Sequence, residues 1–199
     1  MARLITPEEV DDAIQKMRFP KPKISSDEAA KMALDLFQEH PEPNHCAPTT
    51  IKTLQAAYDL PGGDLPFWIS TGFRGGVCLG EVCGAISGAV IAMGLIAYRV
   101  LEPGSDYQEK IACQAIASYI RDLAYAFNYK FGSIHCSVLT RASERTPVEA
   151  EIHRRTLFGK YHVCGPLVEF VVRTMVHWGE TSVEPPKRVP MGTPPLKLG

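Results

Sequence analysis

The sequence predicts an all-α fold: a helical bundle of about four main helices with flanking short helices and an extended C-terminal tail. Three observations carry this. Apolar residues recur at three- and four-residue intervals through most of the chain, the spacing of one helix face. Helix-starting residues stand in front of those stretches, with proline placed where a first turn has no use for its missing N–H. No segment shows the two-residue alternation of a half-buried strand, and no internal repeat recurs at fixed period.

Taken in order, residues 6 to 18 read as a first helix, with Thr6 as cap, Pro7 in the first turn and acids behind it. Ser26-Asp27-Glu28 opens a second, carrying Ala29, Met32, Leu34 and Phe37, which stops before PEPN. A third spans about Pro48 to Tyr58, with Ile51, Leu54 and Ala57 on one face. The segment LPGGDLPFWISTGFRGGVCLG reads as one long functional loop. A fourth helix runs from near Glu81 to about Leu101 and a fifth from about Asp106 to Tyr129. FGSIHCSVLTR holds at most a short helix, and another begins at Thr146-Pro147. The last long helix begins near Cys164 and ends at Trp178-Gly179. The expected organisation is a helical cysteine domain over 1–179, with 1–43 as its N-terminal helical extension, and a proline-rich tail over 180–199.

At 199 residues and 45% hydrophobic, the chain has the material for one ordinary domain with a core of its own. A formal charge of −1 with no basic stripe gives no nucleic-acid surface. The start, MARLITPEEVDDAIQKM, lacks the parts of a signal peptide, so a cytoplasmic location is expected. Val82 to Tyr98 carries no charge but is shorter than the ~20 residues of a membrane span and rich in Gly, Ala and Ser; it reads as a buried central helix.

Six cysteines in a reducing compartment are thiols or metal ligands rather than disulfides. No C-x-x-C occurs, so neither a zinc ribbon nor a thioredoxin-like pair is indicated. Any shared site must gather single ligands from distant segments. HCAPTT at 45–50 and VCGPLV at 163–168 are each C-x-P ahead of a helical pattern, and Cys83 falls in the first turn of its helix. A helix N-terminus favours negative charge, whether a thiolate of lowered pKa or a metal–thiolate centre. Cys136 follows a glycine turn and opens a short helix. Cys78, in the glycine loop, is structural filler or a ligand; Cys113, among Ile111, Ala112, Ala115 and Ile116, is expected in the core. His45, His135 and His162 each lie close to a candidate cysteine as outer-shell groups or surface residues. Gly84 and Gly88, with Ala85 and Ala89, stand four apart, so another helix can approach closely, and Gly72, Gly75 and Gly76 can bend a loop whose N–H groups face sulfur.

Cys46, the hexapeptide CGAISG from Cys83 to Gly88, Cys136 and Cys164, with GFRGG before and FGSIHC after, resemble the redox-active protein family named for its C_GCAxxG_C_C cysteine pattern. The resemblance covers about residues 44 to 178. It implies that Cys46, Cys83, Cys136 and Cys164 bind an iron–sulfur cluster, [2Fe–2S] or [4Fe–4S], in a protein of electron transfer or a redox subunit of a larger complex. Two other readings stay open: a thiol redox enzyme or sensor using Cys46 or Cys164, and a structural zinc or interaction domain. A protein partner or a second copy is expected through the tail, with Val183, Val189, Met191 and Leu196 in contact and Lys187, Arg188 and Lys197 at the rim.

Overall fold

The structure is a computed structural model that describes Thr6, Glu8 and residues 19–39, 45–101, 106–141 and 157–181. The remainder of the expected 6–18 helix, the helix at Thr146-Pro147 and the tail beyond residue 181 lie outside the described residues. Those described are all-α: α1 (Ser26–Glu39), α2 (Cys46–Tyr58), α3 (Leu65–Ser70), α4 (Gly84–Leu101), α5 (Asp106–Phe131), α6 (Cys136–Leu139) and α7 (Leu157–Thr181). None of these helices is long and apolar enough to cross a membrane.

Polar contacts at the helix ends fix which way each helix runs. Ser25 and Glu28 cap α1 reciprocally, the Ser25 N–H donating to Glu28 Oε2 at 2.8 Å and the Glu28 N–H to Ser25 Oγ at 3.2 Å. The next N–H, of Ser26, donates to Glu180 Oε1 at 2.7 Å, near the last turn of α7, and Arg173 pairs with Asp27. The Lys23 N–H donates to Ala57 O at 2.7 Å, near the end of α2. The start of α1 thus meets the finish of both α2 and α7, so α1 is antiparallel to each. Gly88 lies on Ala47 and Thr50, and Arg99 donates to Tyr58 O, so α4 runs alongside α2 in the same direction. In α5, Tyr119 faces Trp178 while Phe131 faces Phe170, so α5 opposes α7. Three parallel helices, α2, α4 and α7, therefore have their N-terminal halves at one end of the bundle, where α5 finishes.

The core lies between these helices. Ile51, Leu54, Met93, Leu123, Phe127, Val168 and Met175 are among its fully buried side chains. Each contributes roughly 1.5–3 kcal/mol relative to exposure. The far end is closed by Phe19, Tyr58, Tyr119 and Trp178, whose rings stack at tilted and edge-on angles, and by Tyr58 Oη donating to Met175 O at 2.6 Å.

The structure corrects four expectations. LPFWIS is helix α3 rather than loop; Pro66 sits in its first turn, where a missing N–H costs nothing. Cys113 is exposed, because the buried side of α5 runs through Ala115, Ser118 and Tyr119 and turns residue 113 outward. The third is α7, which starts at Leu157 and includes Pro166 in its interior, so C-G-P does not mark a helix start there and Cys164 is not at a helix N-terminus. Finally, α7 runs to Thr181, two residues beyond the expected stop at Gly179.

Candidate cysteine site

Backbone pairing brings the first two cysteines to one face as a diagonal pair. The Cys83 N–H donates to Ile134 O at 2.8 Å and the Cys136 N–H to Glu81 O at 2.7 Å, flanking an antiparallel bridge between Val82 and His135. Neighbours on either side of a paired extended residue share a face. Cys83 and Cys136 thus lie on one face of this small ribbon. Beyond it each enters a helix: the Cys83 carbonyl accepts the Ser87 N–H at 3.1 Å as cap of α4, and Cys136 opens α6.

Cys46 is the first residue of α2, with His45 extended before it at φ −95° and ψ 175°. Its sulfur packs against Gly84. A Cβ built on Gly84 would stand 2.6 Å from Cys46 Sγ and 3.0 Å from Phe73 O, so only glycine fits. This is the physical content of the second position in CGAISG. The last position has the same reason, since a Cβ on Gly88 would lie 2.7 Å from Ala47 O and 2.9 Å from the Thr50 Cβ.

Cys46 and Cys83 are almost fully buried. Burial pushes the Cys46 thiol up, while the N–H groups of Gly75, Ala47, Cys46 itself and Gly84 pull it back. The Cys83 thiol is pushed up by burial, further by negative charge on Cys46 and Cys136, and is opposed by the N–H groups of Ala85 and Ile86. The expected lowering at helix N-termini is thus reversed here. A helix end supplies typically ~0.3–1 kcal/mol, whereas burying an uncompensated thiolate costs several. Cys46 and Cys136 thus both lie close enough to Cys83 for their charge to reach it.

The loop over the site has an unusual backbone. Gly75, Gly76, Val77 and Cys78 all have positive φ, at 59°, 61°, 57° and 60°. For L-residues other than glycine this left-handed form costs roughly 1–2 kcal/mol each, and β-branched valine suits it poorly. The Glu81 N–H closes the turn on Gly76 O at 3.1 Å. Gly76 is irreplaceable there, because a Cβ would meet Glu81 N at 2.4 Å. One end of the turn supplies the Gly75 N–H to the Cys46 sulfur; the other passes through Glu81 into the Cys83–Cys136 ribbon. Cys78 is exposed on this turn.

Cys164 is partly buried against the core, within α7. Its level along the bundle follows from helix register. Tyr58 is held to Met175 by the hydroxyl bond. Cys46 lies twelve residues before Tyr58 and Val163 twelve before Met175, about 18 Å back along two helices that run the same way. Cys164 therefore belongs to the same end of the bundle as Cys46. Among the described residues, no three His, Cys, Asp or Glu side chains are grouped as a ready metal-binding set.

His45 and His135 lie on the rim. His45 Nε2 is 3.4 Å from Arg74 Nη1, and His135 Nδ1 is 3.6 Å from Glu81 Oε2. His162 falls within α7, where its side chain is outside the described residues. Sequence reasoning missed the bridge; its two extended segments, EVC and SIHC, are too short to show alternation.

One protein family, described as "Putative redox-active protein (C_GCAxxG_C_C)", matches residues 44–178. The chain belongs to this family. Neither a curated protein nor a solved structure matches it. Membership supports a redox role. The matched span contains every element that shapes the cysteine end and leaves out α1, although α1 packs along α7.

Proposed function

We propose that the cysteine end of the bundle holds an iron–sulfur cluster, with Cys46, Cys83, Cys136 and Cys164 as its ligands. The protein would then carry electrons, alone or as the redox subunit of a larger enzyme. The observation that supports this reading is that the buried Cys83 feels the charge of both Cys46 and Cys136, with the N–H groups of Gly75, Gly84, Ala85 and Ile86 turned to the two buried sulfurs. Two buried thiols with a third beside them cannot all ionise unless positive charge joins them. An iron–sulfur centre supplies that charge and exchanges single electrons. The N–H groups suit it in turn, since hydrogen bonds to sulfur stabilise the more negative reduced state and raise a cluster's potential, against the lowering that exclusion of water brings. Cys164, partly buried on α7 at the same end of the bundle, is the fourth ligand of this proposal. Cluster type stays open between [2Fe–2S] and [4Fe–4S].

The thiol-enzyme reading is weaker on the same facts. A cysteine nucleophile needs a lowered pKa and access, and Cys46 has neither. The proposal extends to a reducing, cytoplasmic setting, which suits six free cysteines, and to a protein partner reached through the tail over 180–199.

The deciding experiment is the visible spectrum of anaerobically purified protein, with iron, sulfide and zinc analysis. Broad absorption in the blue with matching iron and sulfide is expected. A colourless protein with one zinc, or one without metal that loses thiols reversibly on oxidation, would overturn the proposal.

A further inference from the structure

The cysteine end carries an apolar surface that the redox reading does not use. Leu65, Trp68 and Ile69 stand three and four apart on the outer face of α3 and are exposed, Trp68 at 66%. The chain then passes through the turn at Thr71–Phe73 to the left-handed loop, where Val77 is exposed at 48% and Leu79 at 79%. That loop lies against α6, with Gly80 on Ser137, and the next residue, Val138, is exposed as well. Six large apolar side chains thus run across adjacent elements. Together they present on the order of 500 Å² of apolar surface, at the upper end of what a free monomer shows. A standard protein interface buries about 800 Å² per partner, roughly 56–65% of it apolar, so the patch equals the apolar part of one side.

The rim identifies the occupant. Lys52, Arg74 and Arg141 stand near it with Asp64 and Glu81, and four of the five are exposed. An anionic lipid surface would select a cluster of about four to eight cations, whereas this rim sets Lys52, Arg74 and Arg141 against the carboxylates of Asp64 and Glu81. An extended peptide would select a groove, whereas Trp68 and Leu79 protrude. Mixed charge around a protruding apolar centre is self-complementary: a two-fold axis through the patch sets the cations of one rim against the carboxylates of the other. We propose that two copies of this chain associate through this patch, covering the cysteine end of each.

The test is the mass of the full chain, as purified, by sedimentation across a dilution series. A dimer is expected that dissociates on dilution. Leu79→Asp and Trp68→Glu alter exposed side chains, so the helical circular dichroism persists while dimer affinity falls about 100-fold. Tyr98→Ser, exposed near the finish of α4 at the opposite end of the bundle, leaves the dimer intact. A second readout needs no variant at the patch: tryptophan emission shifts red and acrylamide quenching rises as the dimer dilutes, a change carried by Trp68 because Trp178 stays packed against Phe19 and Tyr119. A monomer at every concentration overturns the proposal, as does a dimer that survives both substitutions or one lost on cutting after Thr181. So does a Trp68 shielded at every dilution, which would mean the chain covers its own patch, or a Trp68 shielded only by anionic vesicles. If either charged variant fails to fold, the dilution series on the unaltered chain decides.

Discussion

Two glycines on one helix allow close packing to be separated from helix propensity. Gly88 and Gly94 both lie inside α4. A Cβ at Gly94 meets nothing within 4 Å, so Gly94→Ala gains only the propensity difference, about 1 kcal/mol of added stability. A Cβ at Gly88 lies 2.7 Å from Ala47 O and 2.9 Å from the Thr50 Cβ. Ordinary carbon–oxygen contact begins near ~3.3 Å, so α2 and α4 must separate by at least half an ångström. Overpacking of that kind costs about 1–3 kcal/mol, against the same ~1 kcal/mol of propensity. Gly88→Ala is therefore expected to be neutral to about 2 kcal/mol destabilising while Gly94→Ala stabilises. The gap between them is the packing term, about 1–3 kcal/mol. At ~2–4 °C per kcal/mol for a chain of this size, the melting temperatures should differ by roughly 2–12 °C. Thermal unfolding followed by circular dichroism reads it directly. Two alanine variants stabilised equally would refute the close approach, and with it the account of why CGAISG ends in glycine. Gly88→Leu should be worse than Gly88→Ala in the same assay.

Replacing Cys46, Cys83, Cys136 or Cys164 singly with Ser should remove the blue absorption and the bound iron, while Cys113→Ser leaves both, as read by spectrum and metal analysis. In metal-free, reduced protein, the raised Cys46 and Cys83 thiols keep their protons in the fold and lose them first in the unfolded chain. Stability should therefore be fully present below about pH 9, the ordinary thiol value here, and fall above it by up to ~1.4 kcal/mol per pH unit per thiol. Tyr58, raised by burial, adds to the decline only above about pH 10, so melting temperatures between pH 7 and 10 isolate the thiols, and Cys46→Ser should flatten the slope. Cutting after Thr181 should preserve helical content and spectrum but abolish capture of a protein partner in pull-down; cutting after Gly179 instead would remove the Glu180 cap on Ser26 and lower stability for an unrelated reason.

Helix identity was legible because it rests on local period and caps. Ser26–Glu39 and the ends of α2 and α4 at Tyr58 and Leu101 fall where spacing, glycine and proline put them. The role of Gly84 and Gly88 was legible too, as a stripe of small residues. What escaped depends on partners distant in sequence. The fate of Pro166 was misread because C-x-P marks a helix start at Cys46 but lies inside α7, where packing on α1 outweighs one missing hydrogen bond. Cys113 sits among apolar neighbours in the chain, yet which of them turn inward is set by α4 and α7. The sign of the thiol shifts was hidden for the same reason: the dipole is local to a helix, whereas burial is a property of the assembled end.

The strained turn fits this picture. A chain that needed only a connection from α3 to α4 would not hold Val77 and Cys78 in left-handed backbone, at roughly 1–2 kcal/mol each. The turn's geometry is fixed from both sides, by Glu81 closing on Gly76 and by Gly80 lodged on Ser137. What this secures is the Gly75 N–H at the Cys46 sulfur and the Glu81 carbonyl under Cys136. Strain persists where surrounding structure over-determines it, and such sites concentrate where function requires a rigid frame. Here the frame is built around sulfur. Its donors act on Cys46 and Cys83, the thiols that burial penalises, and on the proposed cluster reading the same N–H groups would favour an anionic metal–thiolate centre.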